Sequence, residues 1–251
     1  MVIGVNRFRE HFADHEHQYV LIGGAACEQI MDEAGLEFRR TKDLDIVLIV
    51  EALDADFSKA FLEFVKAGDY EIRESGQGDR RLYRFQKPKT EGYPFMLELF
   101  ARKPDGLDLS ADATLTLLPI DEEAASLSAI LLDDNYYALL KTVVRVINGV
   151  PVLDEAGLIP FKARAWLDLT ARRARGEDID SGNIRKHRND VARLVQVLAA
   201  DATYDLPDGV RTDLAAFVAA IDEDADWTPR QFDVPMDRDI VTSRLRAAYK
   251  L

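Results

Sequence analysis

The chain has 251 residues, of which 47% are hydrophobic, and this is enough for one large domain or two modest ones. The net charge of −13 disfavours binding along an extended nucleic-acid backbone, but not a local contact with a nucleic-acid end or a metal-bound nucleotide. No apolar run approaches the roughly 20 residues of a membrane-spanning helix, so we expect a cytoplasmic protein without membrane contacts. The single cysteine, Cys27, excludes an internal disulfide and is predicted to be a small buried residue.

The first hundred residues alternate between helix and strand patterns. In chain order we predict a short polar helix at 4–16, a strand at 19–22, a helix from 23 to about 33, a strand at 44–50, a helix at 54–66, and strands at 80–85 and 95–101. Strands and helices in this order predict a small mixed sheet with helices packed on it.

The pattern changes after about residue 105. The segment 106–134 is predicted to connect two parts and to carry one or two short strands. The remaining predictions are helices at 135–148, 155–175, 182–200, 208–222 and 237–249. We therefore expect an α+β protein with a mixed-sheet core at 1–105 and a mostly α-helical domain at 135–251.

Two aspartates interrupt the apolar strand pattern "KDLDIVLIV". Side chains alternate along a strand, so Asp43 and Asp45 point the same way, about 6 to 7 Å apart, while Leu44 and Ile46 point into the core. Two such carboxylates repel each other, and a hard cation such as Mg²⁺ between them removes the repulsion. The alternative is that both carboxylates face solvent at the start of the strand.

The sequence around this pair favours a phosphate site. Gly23 and Gly24 join a strand to a helix, where the backbone can approach a phosphate and the helix N-terminus offers free N–H groups. A tight strand-to-helix turn is the alternative for these glycines. Downstream, Glu98 alternates against apolar neighbours in "FMLELFA" and shares a face with the aspartates if its strand lies beside theirs. This layout is typical of two-metal phosphoryl transfer.

Together these motifs resemble the polymerase-beta-like nucleotidyltransferase superfamily, and the chain is most similar to the AbiEii/AbiGii nucleotidyltransferase toxins of toxin–antitoxin and phage-defence systems. The resemblance implies two Mg²⁺ ions held by Asp43, Asp45 and Glu98, with the phosphates of an NTP cradled by Gly23 and Gly24. It implies transfer of a nucleotidyl group to an acceptor such as transfer RNA, and an antitoxin as protein partner.

The motifs depart from the family pattern at two positions. Gly24 stands where many relatives have serine, which leaves only backbone contacts to the triphosphate. Glu98 stands where many catalytic relatives have aspartate. These departures keep open a catalytically inactive nucleotide-binding or interaction protein on the same fold.

The helical part contributes two further candidates. Lys162 falls on the apolar face of its helix, so it either snorkels to the surface or points into a cleft that holds an anion. The resemblance implies the second, because relatives carry a lysine followed by a leucine, matched here by Lys162 and Leu167. Asp190 matches an aspartate of the last helical motif, and Arg188 is predicted to lie on an exposed, charged turn.

The N-terminal histidines have a spacing that can bind zinc. His11 and His15 are one helical turn apart, but no third ligand is apparent in the sequence around them. We therefore favour a solvated helix for this segment.

Overall fold

The computed structural model describes residues 2–75, 81–101, 116–117 and 122–251. The chain divides into two compact units. The first comprises Met1–Asp121 and Val144–Leu153, and the second comprises Glu122–Val143 and Asp154–Leu251. The first contains a mixed sheet with helices and the second is helical, which confirms the predicted α+β class.

The elements of the first unit follow in chain order: α1 (Val5–His11), β1 (Tyr19–Ile22), α2 (Gly23–Glu33), β2 (Asp43–Leu48), α3 (Ala55–Gly68), β3 (Glu71–Ser75), β4 (Arg81–Gln86), β5 (Met96–Ala101), β6 (Thr116–Leu117), β7 (Val144–Ile147) and β8 (Val150–Leu153). Those of the second unit are α4 (Glu122–Leu132), α5 (Asp134–Thr142), α6 (Glu155–Ala174), α7 (Ser181–Val195), α8 (Asp208–Glu223) and α9 (Arg238–Tyr249). In the described ranges, no helix is long and apolar enough to cross a membrane.

The strands of the first unit form one mixed sheet. Among the described residues its order is β6-β3-β4-β5-β2-β1-β8-β7. The pairs β2/β5, β1/β8 and β3/β6 are parallel, and the other neighbours are antiparallel. Strand β2 is therefore flanked by β1, which leads into Gly23, and by β5, which carries Glu98.

Aromatic side chains of α1 and α3 cover one face of this sheet. Phe8 lies edge-on to Tyr19 of β1 with ring centroids 5.4 Å apart, and Phe61 lies 5.3 Å from Phe85 of β4. Phe12 is fully buried directly after α1. The expectation of a solvated N-terminal helix is thus wrong for this face, because burial of its aromatic rings against the sheet outweighs the polar residues between them.

A β-hairpin replaces the end of one predicted helix. The helix predicted at 135–148 ends at Thr142, and β7 and β8 follow, joined by Asn148 and Gly149. Both turn residues have positive φ, 50° and 76°, which suits a tight hairpin turn. This segment is predicted to lie in the helical domain, but β8 pairs with β1 and so belongs to the sheet of the first unit.

Helix α6 is central to the second unit and packs against α4, α7 and α8. It contains Pro160, which has no N–H to donate to the carbonyl of Ala156 four residues earlier. The buried hydroxyl of Tyr249 in α9 donates to that carbonyl at 3.0 Å. The side chain of the last helix therefore supplies a hydrogen bond that the proline removes.

Candidate active site

Strand register places the three predicted carboxylates on one face of the sheet. In the parallel pair of β2 and β5, Asp45 stands opposite Glu98, and paired residues of adjacent strands point to the same face. Asp43 lies two residues before Asp45 and therefore shares that face. Leu44 and Ile46 are fully buried on the other face, as the alternation predicts.

Gly23 brings the peptide backbone against the Asp45 carboxylate. Ile22, the last residue of β1, pairs with Asp45, so the chain turns into α2 directly beside it. Gly23 has a φ of 66°, and a Cβ atom built there would lie 1.8 Å from Asp45 Oδ2. A side chain at this position would be strained by the backbone conformation and would force the Asp45 carboxylate to move.

Gly24 leaves room for two side chains from the segment before β2. A Cβ atom on Gly24 would lie 2.9 Å from Thr41 Oγ1 and 3.6 Å from Arg39 Nη2. Ile22, which precedes α2, makes no side-chain hydrogen bond that caps the helix. The Thr41 hydroxyl and the Arg39 guanidinium lie beside the first turn of α2. Phosphate oxygens commonly accept hydrogen bonds from such groups at a helix N-terminus.

Thr41 and Arg39 are not among the site residues that the sequence predicts. The sequence contains a pattern that could have identified them. In "RRTKDLD", three basic residues, Arg39, Arg40 and Lys42, stand directly before the aspartates although the chain as a whole is acidic. A basic run of this kind next to paired carboxylates is consistent with an anionic ligand held with a cation.

Glu98 is held by an arginine of the next strand. Arg84 of β4 stands opposite Glu98, donates from Nε to Oε1 at 2.7 Å, and also contacts that oxygen through Nη2. The side chains are only 15% and 9% exposed, respectively. The ion pair fixes the orientation of Oε1 towards Arg84.

The carboxylates also bear on metal binding. Within the described residues, no group of three or more His, Cys, Asp or Glu side chains is close enough to hold a metal ion. The convergence of Asp43, Asp45 and Glu98 on one metal stays a prediction, and Oε1 of Glu98 contacts Arg84. Asp43 and Asp45 still fit Mg²⁺, which commonly uses one or two carboxylates and completes its shell with water and substrate phosphates.

The two candidates of the helical unit contact each other. Lys162 Nζ of α6 lies 3.2 Å from Asp190 Oδ2 of α7, and their side chains are 6% and 0% exposed. Arg193 Nη1 lies 3.4 Å from the other oxygen of Asp190. The alternative in which Lys162 snorkels to solvent is wrong, because a buried carboxylate compensates the desolvation of its ammonium group.

Arg188 also has an internal role. Its guanidinium pairs with Asp224 and lies 5.3 Å from the ring centre of Trp227. Its side chain is only 15% exposed, so the prediction of an exposed turn is wrong at this residue. Asn189 accepts a hydrogen bond from the Trp227 indole at 3.1 Å, which fixes the same ring.

The remaining candidates have contacts within the first unit. His11 Nε2 lies 2.8 Å from the carbonyl oxygen of Ala60, and His15 Nδ1 lies 2.6 Å from Gln18 Oε1. Cys27 is fully buried in α2, which confirms the prediction of a small core residue.

Neither the protein-family models nor the curated proteins contain a match to this chain. Among solved structures, it is similar to an antigenic nucleotidyltransferase-like protein from Paracoccidioides brasiliensis, with 15% identity, a TM-score of 0.47, and coverage of 100% of this chain and 97% of that chain. It is also similar to the antibiotic-resistance factor ANT(2'')-Ia, with 14% identity, a TM-score of 0.38, and coverage of 87% and 91%. A third similar structure is MenT4, a nucleotidyltransferase toxin from Mycobacterium tuberculosis, with 16% identity, a TM-score of 0.33, and coverage of 98% and 81%.

Proposed function

We propose that the protein is a metal-dependent nucleotidyltransferase. The observation that carries the proposal is the contact between Gly23 and Asp45, with Asp43 on the same face of the sheet. It puts a pair of carboxylates suited to Mg²⁺ beside the N-terminus of α2, where phosphate oxygens are favourably bound. A metal-bound triphosphate fits this arrangement, because its metal ion suits the two carboxylates and its phosphate oxygens suit the N-terminus of α2.

The chain's own residues bind and orient the substrate in this proposal. The N–H groups at the start of α2, with Gly23 and Gly24 as the close-approach positions, bind phosphate oxygens, and Thr41 and Arg39 add donors. Asp43 and Asp45 would hold Mg²⁺, and the ion would supply positive charge against the phosphate under attack. The acceptor hydroxyl gives up its proton to water and its oxygen bonds to the α-phosphorus. The bond from the α-phosphorus to the oxygen that bridges to the β-phosphate breaks, and pyrophosphate leaves.

The acceptor is proposed to be the end of an RNA such as transfer RNA. A net charge of −13 repels an extended nucleic-acid backbone, whereas the basic run before Asp43 suits one end of it. A toxin role in the cytoplasm, with an antitoxin as partner, is proposed from the resemblance to the AbiEii/AbiGii toxins. A role of Lys162 and Asp190 in the reaction stays a prediction from the same resemblance.

The metal site is tested by removing both aspartate charges. Asp43→Asn with Asp45→Asn is expected to abolish the rise in melting temperature that Mg²⁺ and an NTP give the wild type. Without metal, the melting temperature should stay the same or rise, because two like charges are removed from one face.

A matched double variant separates the site from general charge effects. Asp14→Asn with Asp32→Asn removes two exposed carboxylates from the same unit and should keep the Mg²⁺-dependent rise. A large loss of metal-free stability in the Asp43/Asp45 variant would instead assign these residues a structural role.

The second candidate function is an inactive nucleotide-binding protein on the same fold. The ion pair between Arg84 and Glu98 favours it, because the third carboxylate is directed at a guanidinium instead of at a metal or an acceptor hydroxyl. Such a protein shows the Mg²⁺-dependent binding described above but transfers no label from an NTP to any acceptor.

A further inference from the structure

We propose that Arg84 takes the place of one of the two metal ions expected at this site, so that the chain binds one divalent ion. The inference rests on the proposed function and specifies its metal requirement. It concerns the residues Arg84, Glu98 and Asp45, which lie in one row across three neighbouring strands.

Strand register creates this row. Arg84 stands opposite Glu98 in the antiparallel pair of β4 and β5, and Glu98 stands opposite Asp45 in the parallel pair of β5 and β2. All three side chains therefore lie on the same face of the sheet. The cation of Arg84 is a fixed part of the face that carries the metal-binding aspartates.

The contact with Glu98 is close and largely shielded from water. Arg84 uses both Nε and Nη2 on the single oxygen Oε1, with the Nε distance at 2.7 Å. Both side chains are at most 15% exposed. Charge-assisted hydrogen bonds of this kind are short and directional, so the guanidinium occupies the position at Oε1 that a metal ion would take.

The positive charge of Arg84 disfavours a second divalent ion at Glu98. A second ion on Glu98 would bring another cation against the guanidinium in a partly buried site, where like charges repel strongly.

Arg84 is accordingly a positioning residue. It orients Glu98 and supplies a fixed positive charge next to the metal, but it touches neither the substrate nor the metal in this account. Its removal should change the number of ions bound, which a merely structural ion pair would not do.

Equilibrium dialysis with saturating Mn²⁺ and inorganic tripolyphosphate, followed by elemental analysis of the excess metal in the protein chamber, counts the bound ions. The wild type is expected to bind one Mn²⁺ per chain. Arg84→Met keeps most of the apolar stem and removes the cation at Glu98 Oε1, so it should bind two. Arg84→Lys retains a cation and should bind one.

Arg145→Met is the matched control, because Arg145 also pairs with a carboxylate in the first unit, Glu33, at 2.6 Å. It should bind one Mn²⁺. Circular dichroism establishes that each variant is folded. If Arg84→Met does not fold, Arg84→Gln decides: it removes the cation, retains an N–H donor for Glu98 and should bind two ions.

Two ions on the wild type would overturn the inference while leaving the proposed function in place. One ion on folded Arg84→Met would also overturn it, and so would one ion on Arg84→Gln. No ion on the wild type would contradict the inference and the proposed function together.

Discussion

The contact between Gly23 and Asp45 is the residue-scale feature on which the site depends. A φ of 66° favours glycine by itself, and the carboxylate oxygen occupies the space of a Cβ atom. The effect of the backbone conformation can be separated from the effect of the Asp45 contact by comparison with Gly35 at the end of α2. Gly35 has a φ of 69°, but a Cβ atom built there has no atom within 4 Å.

We therefore predict different results for alanine at the two glycines. Gly35→Ala should lower the free energy of unfolding by about 1 kcal/mol, the cost of the left-handed conformation, and keep Mg²⁺-dependent nucleotide binding. Gly23→Ala should cost roughly 2 kcal/mol or more and abolish that binding, because Asp45 must move. Equal effects in urea unfolding and nucleotide binding would show that the Asp45 contact is unimportant.

A second residue-scale prediction concerns the buried pair of Lys162 and Asp190. A snorkelling lysine would tolerate Lys162→Met, but here the change removes a cation 3.2 Å from a fully buried carboxylate. Breaking a buried pair typically costs about 3 to 5 kcal/mol. We expect a loss in this range by urea unfolding.

Adding Asp190→Asn to Lys162→Met should recover part of that loss, because it removes a buried negative charge that has lost its Lys162 partner. If the double variant is as unstable as the sum of the two single variants, the pair makes no coupled contribution to stability.

At the scale of elements, Tyr249 of α9 compensates for the proline within α6. Tyr249→Phe should lower the free energy of unfolding by about 1 to 3 kcal/mol, because the buried carbonyl of Ala156 loses its donor. In a Pro160→Ala background the new N–H can bond to that carbonyl, so the same change should cost less than half as much.

Tyr70→Phe provides the matched control for this double-mutant cycle. Its hydroxyl donates to the carbonyl of Pro94 at 2.6 Å in the first unit, where Pro160 does not lie. Tyr70→Phe should lower the free energy of unfolding by the same amount in the wild type and in the Pro160→Ala background. A Tyr249→Phe cost that is also equal in the two backgrounds would contradict the compensation.

The elements that the sequence predicts well are those with a local signal. Strand β1 and helix α2 have the predicted bounds, since an apolar run, two glycines and a helical stripe are all short-range patterns. The β7–β8 hairpin also has a local signal, because Asn148-Gly149 stands between alternating apolar residues. The helix predicted at 135–148 is wrong over this hairpin because the prediction extends the preceding helical pattern through it.

The site is predictable only in part, for a related reason. Alternation along single strands gives the shared face of Asp43 and Asp45. The partners Arg84 and Thr41 depend on which strands and loops come together, and this is set by long-range pairing. The contact between Lys162 and Asp190 likewise joins two helices.

At the scale of the whole molecule, the charge distribution bears on which ligands reach the site. The chain is strongly acidic, yet Arg39, Arg40 and Lys42 directly precede Asp43 and Asp45. Attraction of an anionic group to this run extends about 10 Å at 0.1 M salt. This arrangement favours short contacts near the site over binding along a nucleic acid.

The most direct test of nucleotidyl transfer follows two labels in parallel. The protein is incubated with Mg²⁺, total transfer RNA and each of the four NTPs, labelled with ³²P at either the α- or the γ-phosphate. The account predicts that α-label enters RNA, that γ-label is released in pyrophosphate, and that Asp45→Asn abolishes both. Transfer of γ-label to the acceptor, an absence of α-label transfer by the wild type, or equal transfer by Asp45→Asn would contradict it.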